Sequence, residues 1–144
     1  MAVNNYSVGK DLSFQLNMPD GTLNILLDAT EYSVKKKNTL LTRKSLSSGK
    51  TIHGNIPDGF EITIRLDRRD ATIDRYFAAQ DASYYAGVNI VGGQIQETIT
   101  EKDGSKSNFL YTDVTLQYDG PGDWRSDAYI PITIMAYATE RLAV

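Results

Sequence analysis

Alternation of apolar and polar residues runs through most of this chain and is broken by one helical stretch. From Phe60 to Leu66, every second side chain is apolar, which is the period of a half-buried β-strand. From about Asp70 to Ala86, apolar residues instead recur at helical spacing. A small antiparallel sheet leaves strand edges that associate with other strands unless they are covered. The pattern predicts a mainly β (α+β) fold, an antiparallel β-sandwich or partial barrel with one flanking helix, in a single domain over residues 1–144.

Further strands follow from the same alternation and from turn signals between them. Strands are predicted at residues 12–18, 23–27 (continuing over 32–36), 94–100, 110–117 and 128–139. Pro19 followed by Gly21, and Gly104 after Asp103, predict tight turns. Within strand 110–117, the even-numbered Leu110, Val114 and Leu116 are expected inside and Tyr111 outside. In the last strand, Ile130, Ile132 and Ile134 are expected inside.

The helical stretch carries its own start and stop signals. Asp70 is the predicted N-cap, and Asp74 in the first turn complements the helix dipole. Ile73, Phe77 and Tyr84 are expected to share one apolar face, and Gly87 to follow the helix end. An aromatic stripe of this kind is typical of core packing.

Residues 39–58 differ from the rest of the chain, because serine and glycine accumulate there and the periodicity is weak. Segments of this length without a clear element are uncommon in compact domains and are usually functional or disordered. The sequence predicts a long exposed loop, or a protruding hairpin, at about 39–58.

Composition excludes several classes of function. The chain has no cysteine, which rules out disulfides and thiolate metal sites. Residues 1–7 lack the pattern of a signal peptide, and no apolar run approaches membrane-spanning length, so we expect no membrane insertion. A net charge of −3 argues against tight binding of nucleic acid.

The charges are unevenly distributed along the chain. Cations cluster between Lys35 and Arg75, whereas acidic residues dominate after Arg75. Two interpretations stay open: ordinary solvated surface, or complementary faces that meet when copies of the chain assemble.

Catalytic motifs are weak. Gly49-Lys50-Thr51 matches the end of a phosphate-binding loop, but Lys44 stands where the first glycine is needed and turn residues follow instead of a helix. His53 is the only histidine, and a triad needs a histidine held between a carboxylate and a serine. An exposed or interfacial loop position fits His53 better, so we predict no enzyme activity and no cofactor.

The only tryptophan, Trp124, lies in the charged segment Asp123–Asp127. A glycosidase would pair carboxylates around a sugar-stacking tryptophan, but no second, distant acid is indicated by pattern. Tryptophan and arginine are the common anchors of protein interfaces. Trp124 and Arg125 are therefore predicted to anchor an interface or a loop.

Several short sequence segments together resemble those of a known family. Residues 8–14 look like its opening strand, 60–65 and 74–77 like its central strand and helix, and 112–116, 122–127 and 132–134 like its closing hairpin. Over nearly its full length, the chain thus resembles the tail tube proteins of contractile-tailed bacteriophages.

The resemblance implies a structural role. Tail tube subunits form hexameric rings in which strands of all six copies join one ring-shaped inter-subunit β-barrel. The rings stack into a hollow tube that conducts DNA at ejection without specific binding. A long loop reaches the neighbouring ring, and the helix lies outside, near the sheath. Implied partners are further copies of the chain and the sheath, baseplate and tail terminator proteins. The implied location is the virion tail, assembled in the host cytoplasm.

The resemblance also suggests roles for individual residues. The ring-stacking loop would use Arg43, Lys44, Lys50 and His53, with its cations meeting Asp119 or Asp123 of the next ring. The lumen of the tube would be lined by polar strand positions, namely Gln94, Gln96, Thr98, Thr100, Asp113, Thr115 and Gln117. A plain solvent-facing strand surface explains these polar positions equally well.

Other functions stay open at this point. The tube of a tailocin or of a secretion-type injection machine is indistinguishable from a phage tube by these residues. A small β-sandwich binding module that uses the Trp124 loop is a second class, and an enzyme is a third.

Overall fold

The computed structural model describes residues 8–19, 21–23, 29–120 and 122–144. After a 3-10 turn at Gly9–Asp11, these residues form eight strands and one helix. The strands are β1 (Leu12–Met18), β2 (Gly21–Leu23), β3 (Ala29–Lys44), β4 (Thr51–Asp67), β5 (Gly93–Thr100), β6 (Lys106–Tyr118), β7 (Pro131–Ala138) and β8 (Glu140–Ala143). The helix α1 (Thr72–Tyr85) lies between β4 and β5 in sequence.

All strand pairs are antiparallel, and together they form one sheet with the order β2-β1-β5-β6-β7-β4-β3. β8 pairs with β6 off this path. Within the described residues the sheet is not closed, because β2 and β3 stand at its two ends. The prediction of a mainly β, antiparallel fold is confirmed.

The sheet folds over on itself around β6. Residues 106–114 of β6 pair with β5, whereas residues 115–118 pair with β7. The two halves enclose a core of aliphatic and aromatic side chains, among them Leu16, Ile64 and Ile134, which are fully buried. Across the core, the rings of Phe14 on β1 and Tyr32 on β3 stack with centroids 4.6 Å apart. Burial of apolar area, at about 25 cal/mol per Å², is the main force that holds the two halves together.

The alternation in β6 is interrupted, contrary to the prediction. Asp113 has a φ of 51°, and the pairing with β5 shifts register between Gly93 and Ile95. Before this bulge the odd-numbered Tyr111 is fully buried, and after it the even-numbered Val114 and Leu116 are buried. The prediction that Tyr111 faces outward is therefore wrong, because a bulge reverses which residues point inward.

Helix α1 is slightly shorter than predicted. Its N-cap is Ala71, not Asp70, although Asp70 Oδ1 still accepts a 3.0 Å hydrogen bond from the Thr72 backbone N–H. Ile73 and Phe77 are buried as expected, but Tyr84 is 57% exposed and does not share their face. Gly87 follows the C-cap with a φ of 93°, which confirms its role in ending the helix.

Residues 39–58 are largely strand, so a long loop is the wrong alternative and a protruding hairpin is the right one. β3 and β4 stay paired as far as Lys44 and Thr51, which leaves residues 45–50 as the connection. This ribbon has no apolar alternation because both of its faces are exposed.

The boundaries of the other strands differ slightly from the predicted ones. The first hairpin is confirmed by the pairing of Met18 with Gly21, whereas the predicted strand positions 24–27 lie outside the described residues. The last predicted strand corresponds to β7. Ile132 and Ile134 are buried in it, whereas Ile130 lies just before its first residue. β8 was not predicted, because four residues are too short to show a period.

Candidate assembly interfaces

The distal part of the β3–β4 hairpin, residues 38–57, projects from the sheet, and we call it the arm. Each of its residues is exposed except Ser45, which is half-buried. It carries five exposed apolar side chains, namely Leu40, Leu41, Leu46, Ile52 and Ile56. Leu41, Ile52 and Ile56 share one face of the arm, and a contiguous exposed apolar surface of this kind marks an interaction site. An isolated two-stranded hairpin is also only marginally stable by itself.

The two faces of the arm differ in chemistry. Leu41 and Arg43 lie on one face, where Arg43 is directly opposite Ile52. Lys44 and His53 lie on the other face, where His53 is opposite Thr42. The predicted stacking residues are therefore divided: Arg43 points away from Lys44 and His53, and Lys50 lies in the turn.

Neither the arm nor the rest of the described chain offers an evident catalytic arrangement. His53 is in solvent on the arm, without the burial that positions a catalytic base. Among the described residues, no three His, Asp or Glu side chains are grouped closely enough to hold a metal ion. No helix within the described part of the chain has the length and apolarity needed to cross a bilayer.

An acidic segment lies at the opposite pole of the molecule. Residues 119–130, which we call the acidic loop, carry Asp119, Asp123 and Asp127 against one cation, Arg125. The loop precedes Pro131, which pairs with Asp67 at the far end of β4. β4 spans 17 residues from the arm to this point, a length of about 50 Å at the usual rise per residue. The cations of the arm therefore cannot meet this loop within one copy of the chain.

Trp124 in the acidic loop is held by a cation. The Arg68 guanidinium lies 5.1 Å from the ring centroid, and Arg68 Nε donates a 3.0 Å hydrogen bond to Asp74 Oδ2 on α1. Trp124 is still 66% exposed, and Tyr129 in the same loop is 81% exposed. The predicted loop anchor thus has a contact, Arg68, that the sequence did not indicate. Arg125 is exposed.

A second exposed apolar surface lies at the end of α1, and we call it the helix-end patch. It consists of Tyr84, Tyr85, Val88, Ile90 and Val91, whose exposure ranges from 43% to 86%. Tyr84 and Tyr85 contact each other edge to face, with centroids 5.8 Å apart. The arm, the acidic loop and the helix-end patch are three separate segments with exposed apolar side chains, and each is a candidate interface.

The sequence pattern did not indicate an ion pair between the buried Glu97 and the partly exposed Arg141. Glu97 on β5 is only 3% exposed, and its Oε1 accepts a 2.7 Å hydrogen bond from Arg141 Nη2 on β8. Its Oε2 accepts hydrogen bonds from the hydroxyls of Tyr32 at 2.9 Å and Tyr111 at 3.1 Å. Burial, reinforced by the Glu97 charge, raises the pKa of Tyr111 to about 12 and raises that of Tyr32 as well.

This network ties together four strands, β3, β5, β6 and β8. Arg141 also lies over the Phe109 ring, 3.8 Å from its centroid, so one side chain anchors the short β8 to β5 and β6. A signal for it existed in the sequence, because Glu97 stands between Ile95 and Ile99 on the apolar phase of its strand.

The structure divides the predicted lumen-facing residues into two groups. Gln94, Gln96, Thr98 and Thr100 alternate with the inward residues of β5 and share its outer side. Asp113 lies in the bulge of β6, and beyond it Thr115 and Gln117 pair with Tyr137 and Met135 of β7. Thr115 and Gln117 therefore belong to the half of the sheet that contains β7, β4 and β3.

Comparisons place this architecture among known folds. No family model matches the sequence, and no curated protein matches it either. A chain in the structure of the sheath/tube terminator of an extracellular contractile injection system (PVC) is similar, with a TM-score of 0.62 at 11% identity over 99% of both chains. A chain of the PVC sheath-tube complex matches with a TM-score of 0.57 at 11% identity, covering 91% of this chain and 87% of that chain.

A gene transfer agent gives a third similarity. A chain in the virion of a native gene transfer agent particle matches with a TM-score of 0.53 at 15% identity, over 95% of this chain and 98% of that chain. These likenesses show that the chain shares the fold of proteins from contractile injection systems and phage-like particles.

Proposed function

We propose that the chain is a structural subunit of a phage tail or a related contractile machine, in which it forms hexameric rings that stack into the hollow inner tube. The observation that carries the proposal is the arm, whose apolar and basic surface extends from the sheet and is left exposed by the described residues of its own copy. A shared fold with chains of contractile injection systems supports the same role.

Ring formation uses the open edge of the sheet. Among the described strands β3 pairs only with β4, so its other edge is unpaired along 16 residues. Unpaired edges of this length recruit further strands, and a barrel closed between copies removes them. In such a ring each copy offers β3 to its neighbour, and six copies close the inner barrel.

Ring stacking uses the two poles. Between residues 39 and 57 the arm has three cations and no acid, whereas the acidic loop has three acids and one cation. Because the two lie at opposite ends of β4, Arg43, Lys44 and Lys50 reach Asp119 or Asp123 only on another copy. Contacts between unlike surfaces that do not close on themselves generate a filament.

The remaining surfaces and the net charge suit the same role. The helix-end patch is available for the sheath, and the ends of the tube meet the baseplate and terminator. A net charge of −3 keeps affinity for DNA low, which suits a conduit through which DNA passes at ejection. The protein is then a component of the virion tail and is assembled in the host cytoplasm.

Electron microscopy and sedimentation of the purified protein test this proposal. We expect rings of six copies, and tubes as the concentration increases. A monomer that stays monodisperse and shows no rings at high concentration would contradict it.

A terminating ring is the second candidate, since one of the similar chains comes from the structure of a sheath/tube terminator. A terminator needs one stacking pole, whereas a tube subunit needs both. Purified protein that forms single or paired rings, but never longer stacks, would favour the terminator.

A further inference from the structure

The two halves of the sheet carry different charges on their outer faces. We call the outer face of β3, β4, β7 and residues 115–118 of β6, without the arm, the wall face. Two of its cations are paired across strands: Lys37 Nζ lies 2.9 Å from Glu61 Oε2, and Arg65 Nη1 lies 3.1 Å from Glu31 Oε2. Lys35 is directly opposite Glu61 in the same register. Cations on this face therefore have carboxylates beside them.

The outer face of the other half has no such charges at its centre. Ser13 and Gln15 on β1 lie beside Thr98 and Gln96 on β5, and Asn108 continues the row on β6. Amides and hydroxyls form this row, and Leu110 of β6, opposite Gln96, adds an apolar side chain. Paired charge is thus a property of the wall face.

The wall face belongs to the half with the longest unpaired edge. If copies join through β3, the barrel between them is built from β3, β4, β7 and the end of β6, and one face of these strands is the core. Their other face must then look into the bore. Thr115 and Gln117 belong to this half and would face the lumen. The polar residues of β5, namely Gln94, Gln96, Thr98 and Thr100, would not.

We propose that the wall face lines the bore, and that Glu31 and Glu61 prevent Arg65 and Lys37 from retaining a polyanion that moves through it. This inference rests on the proposed function. Phosphate backbones bind mainly through cations that displace their counterions. Here a carboxylate about 3 Å from each cation already neutralises its charge in place of a phosphate. The field of such a pair decays within a Debye length of about 10 Å.

A contribution to folding stability does not explain these ion pairs. The side chains of Arg65 and Glu31 are 58% and 49% exposed, and exposed ion pairs contribute little to folding. Removing the carboxylates is therefore expected to change polyanion retention far more than it changes unfolding.

The test uses assembled particles and a short fluorescent single-stranded DNA. The double variant Glu31→Gln/Glu61→Gln is expected to retain roughly tenfold more DNA than the wild type at about 50 mM salt, and to lose the excess by about 200 mM, as two added phosphate contacts predict. The matched control Glu101→Gln/Glu140→Gln removes the same charge outside the wall face and is expected to stay at the wild-type level.

A second pair of variants distinguishes the effect of the uncompensated cations from structural damage caused by the substitutions. Arg65→Gln/Glu31→Gln deletes one pair entirely, and Lys35→Gln/Lys37→Gln/Glu61→Gln deletes the other together with Lys35, which is opposite Glu61. Both variants are expected to retain no more DNA than the wild type. If a variant fails to assemble, the same comparison is made by fluorescence anisotropy on single subunits, where the wall face is exposed.

The outcomes distinguish the two proposals. Wild-type protein that forms no rings contradicts the proposed function. Rings that form normally, with equal DNA retention by Glu31→Gln/Glu61→Gln and its control, overturn this inference alone.

Discussion

At the scale of single residues, Glu97 is the most demanding position in the fold. Its carboxylate is buried and satisfied by three donors from Tyr32, Tyr111 and Arg141. Without Glu97 the Tyr32 and Tyr111 hydroxyls would lose their acceptor, and each buried hydroxyl left unsatisfied costs about 1–3 kcal/mol. The network thus determines how firmly β3 and β8 are held to β5.

Glu97→Ala should consequently lower the free energy of unfolding by several kcal/mol, measured by urea denaturation. Glu97→Gln keeps an acceptor for the two hydroxyls and should cost less. Equal stability of Glu97→Ala and wild type would show that the pair is not formed in solution.

The same network predicts sensitivity to alkali. The pKa of Tyr111 is raised to about 12, above the ordinary value of 10.0, so the unfolded chain loses this proton first. Stability therefore falls as the pH rises from 10 towards 12, because the unfolded state binds fewer protons there. Phenolate absorbance should show a late fraction that appears together with unfolding. In Tyr111→Phe, that late fraction should shrink, and an unchanged titration would contradict the assignment.

At the scale of elements, Gly59 shapes the junction between the arm and the body. Its φ is 93°, and a Cβ there would lie 2.5 Å from the Ala138 carbonyl oxygen on β7. Only glycine fits both conditions, and the register of β3 and β4 shifts close by, between Lys36 and Asn38.

Gly59→Ala is predicted to destabilise the protein well beyond the roughly 1–3 kcal/mol that an unfavourable backbone conformation alone costs. Gly104→Ala is the matched control, since its φ is 88° but no atom lies within 4 Å of the added Cβ. Thermal unfolding of both variants measures the difference. Equal losses would mean that the approach of β7 does not constrain Gly59.

Elements were predictable from the sequence where one face is buried, and they were not where that condition fails. Phe60 to Leu66 alternates because its even-numbered residues pack in the core. The arm shows no alternation because both faces are exposed, and the bulge at Asp113 reversed the phase of Tyr111 without any proline or glycine to indicate it. The contacts of Glu97 and Trp124 depend on pairings distant in sequence, which local patterns do not contain.

At the scale of the whole molecule, opposite charges are separated, and in the proposed assembly this separation determines how copies associate. A basic arm and an acidic loop about 50 Å apart on one rigid strand favour head-to-tail contact over a symmetric dimer. Fixed complementary charges also suppress the reverse orientation, because like poles would then meet.

Reversing the charge of one pole tests this directly. Lys44→Glu/Lys50→Glu should weaken stacking while leaving single rings intact, because ring closure along β3 uses backbone groups, which these side-chain changes leave in place. Lys102→Glu/Lys106→Glu alters the net charge equally at the turn between β5 and β6 and should stack normally. Adding Asp119→Lys/Asp123→Lys to the first variant restores opposite poles, so stacking should return, as sedimentation at low salt would measure. If the combined variant stacks no better than Lys44→Glu/Lys50→Glu, the arm meets some other surface of the next ring.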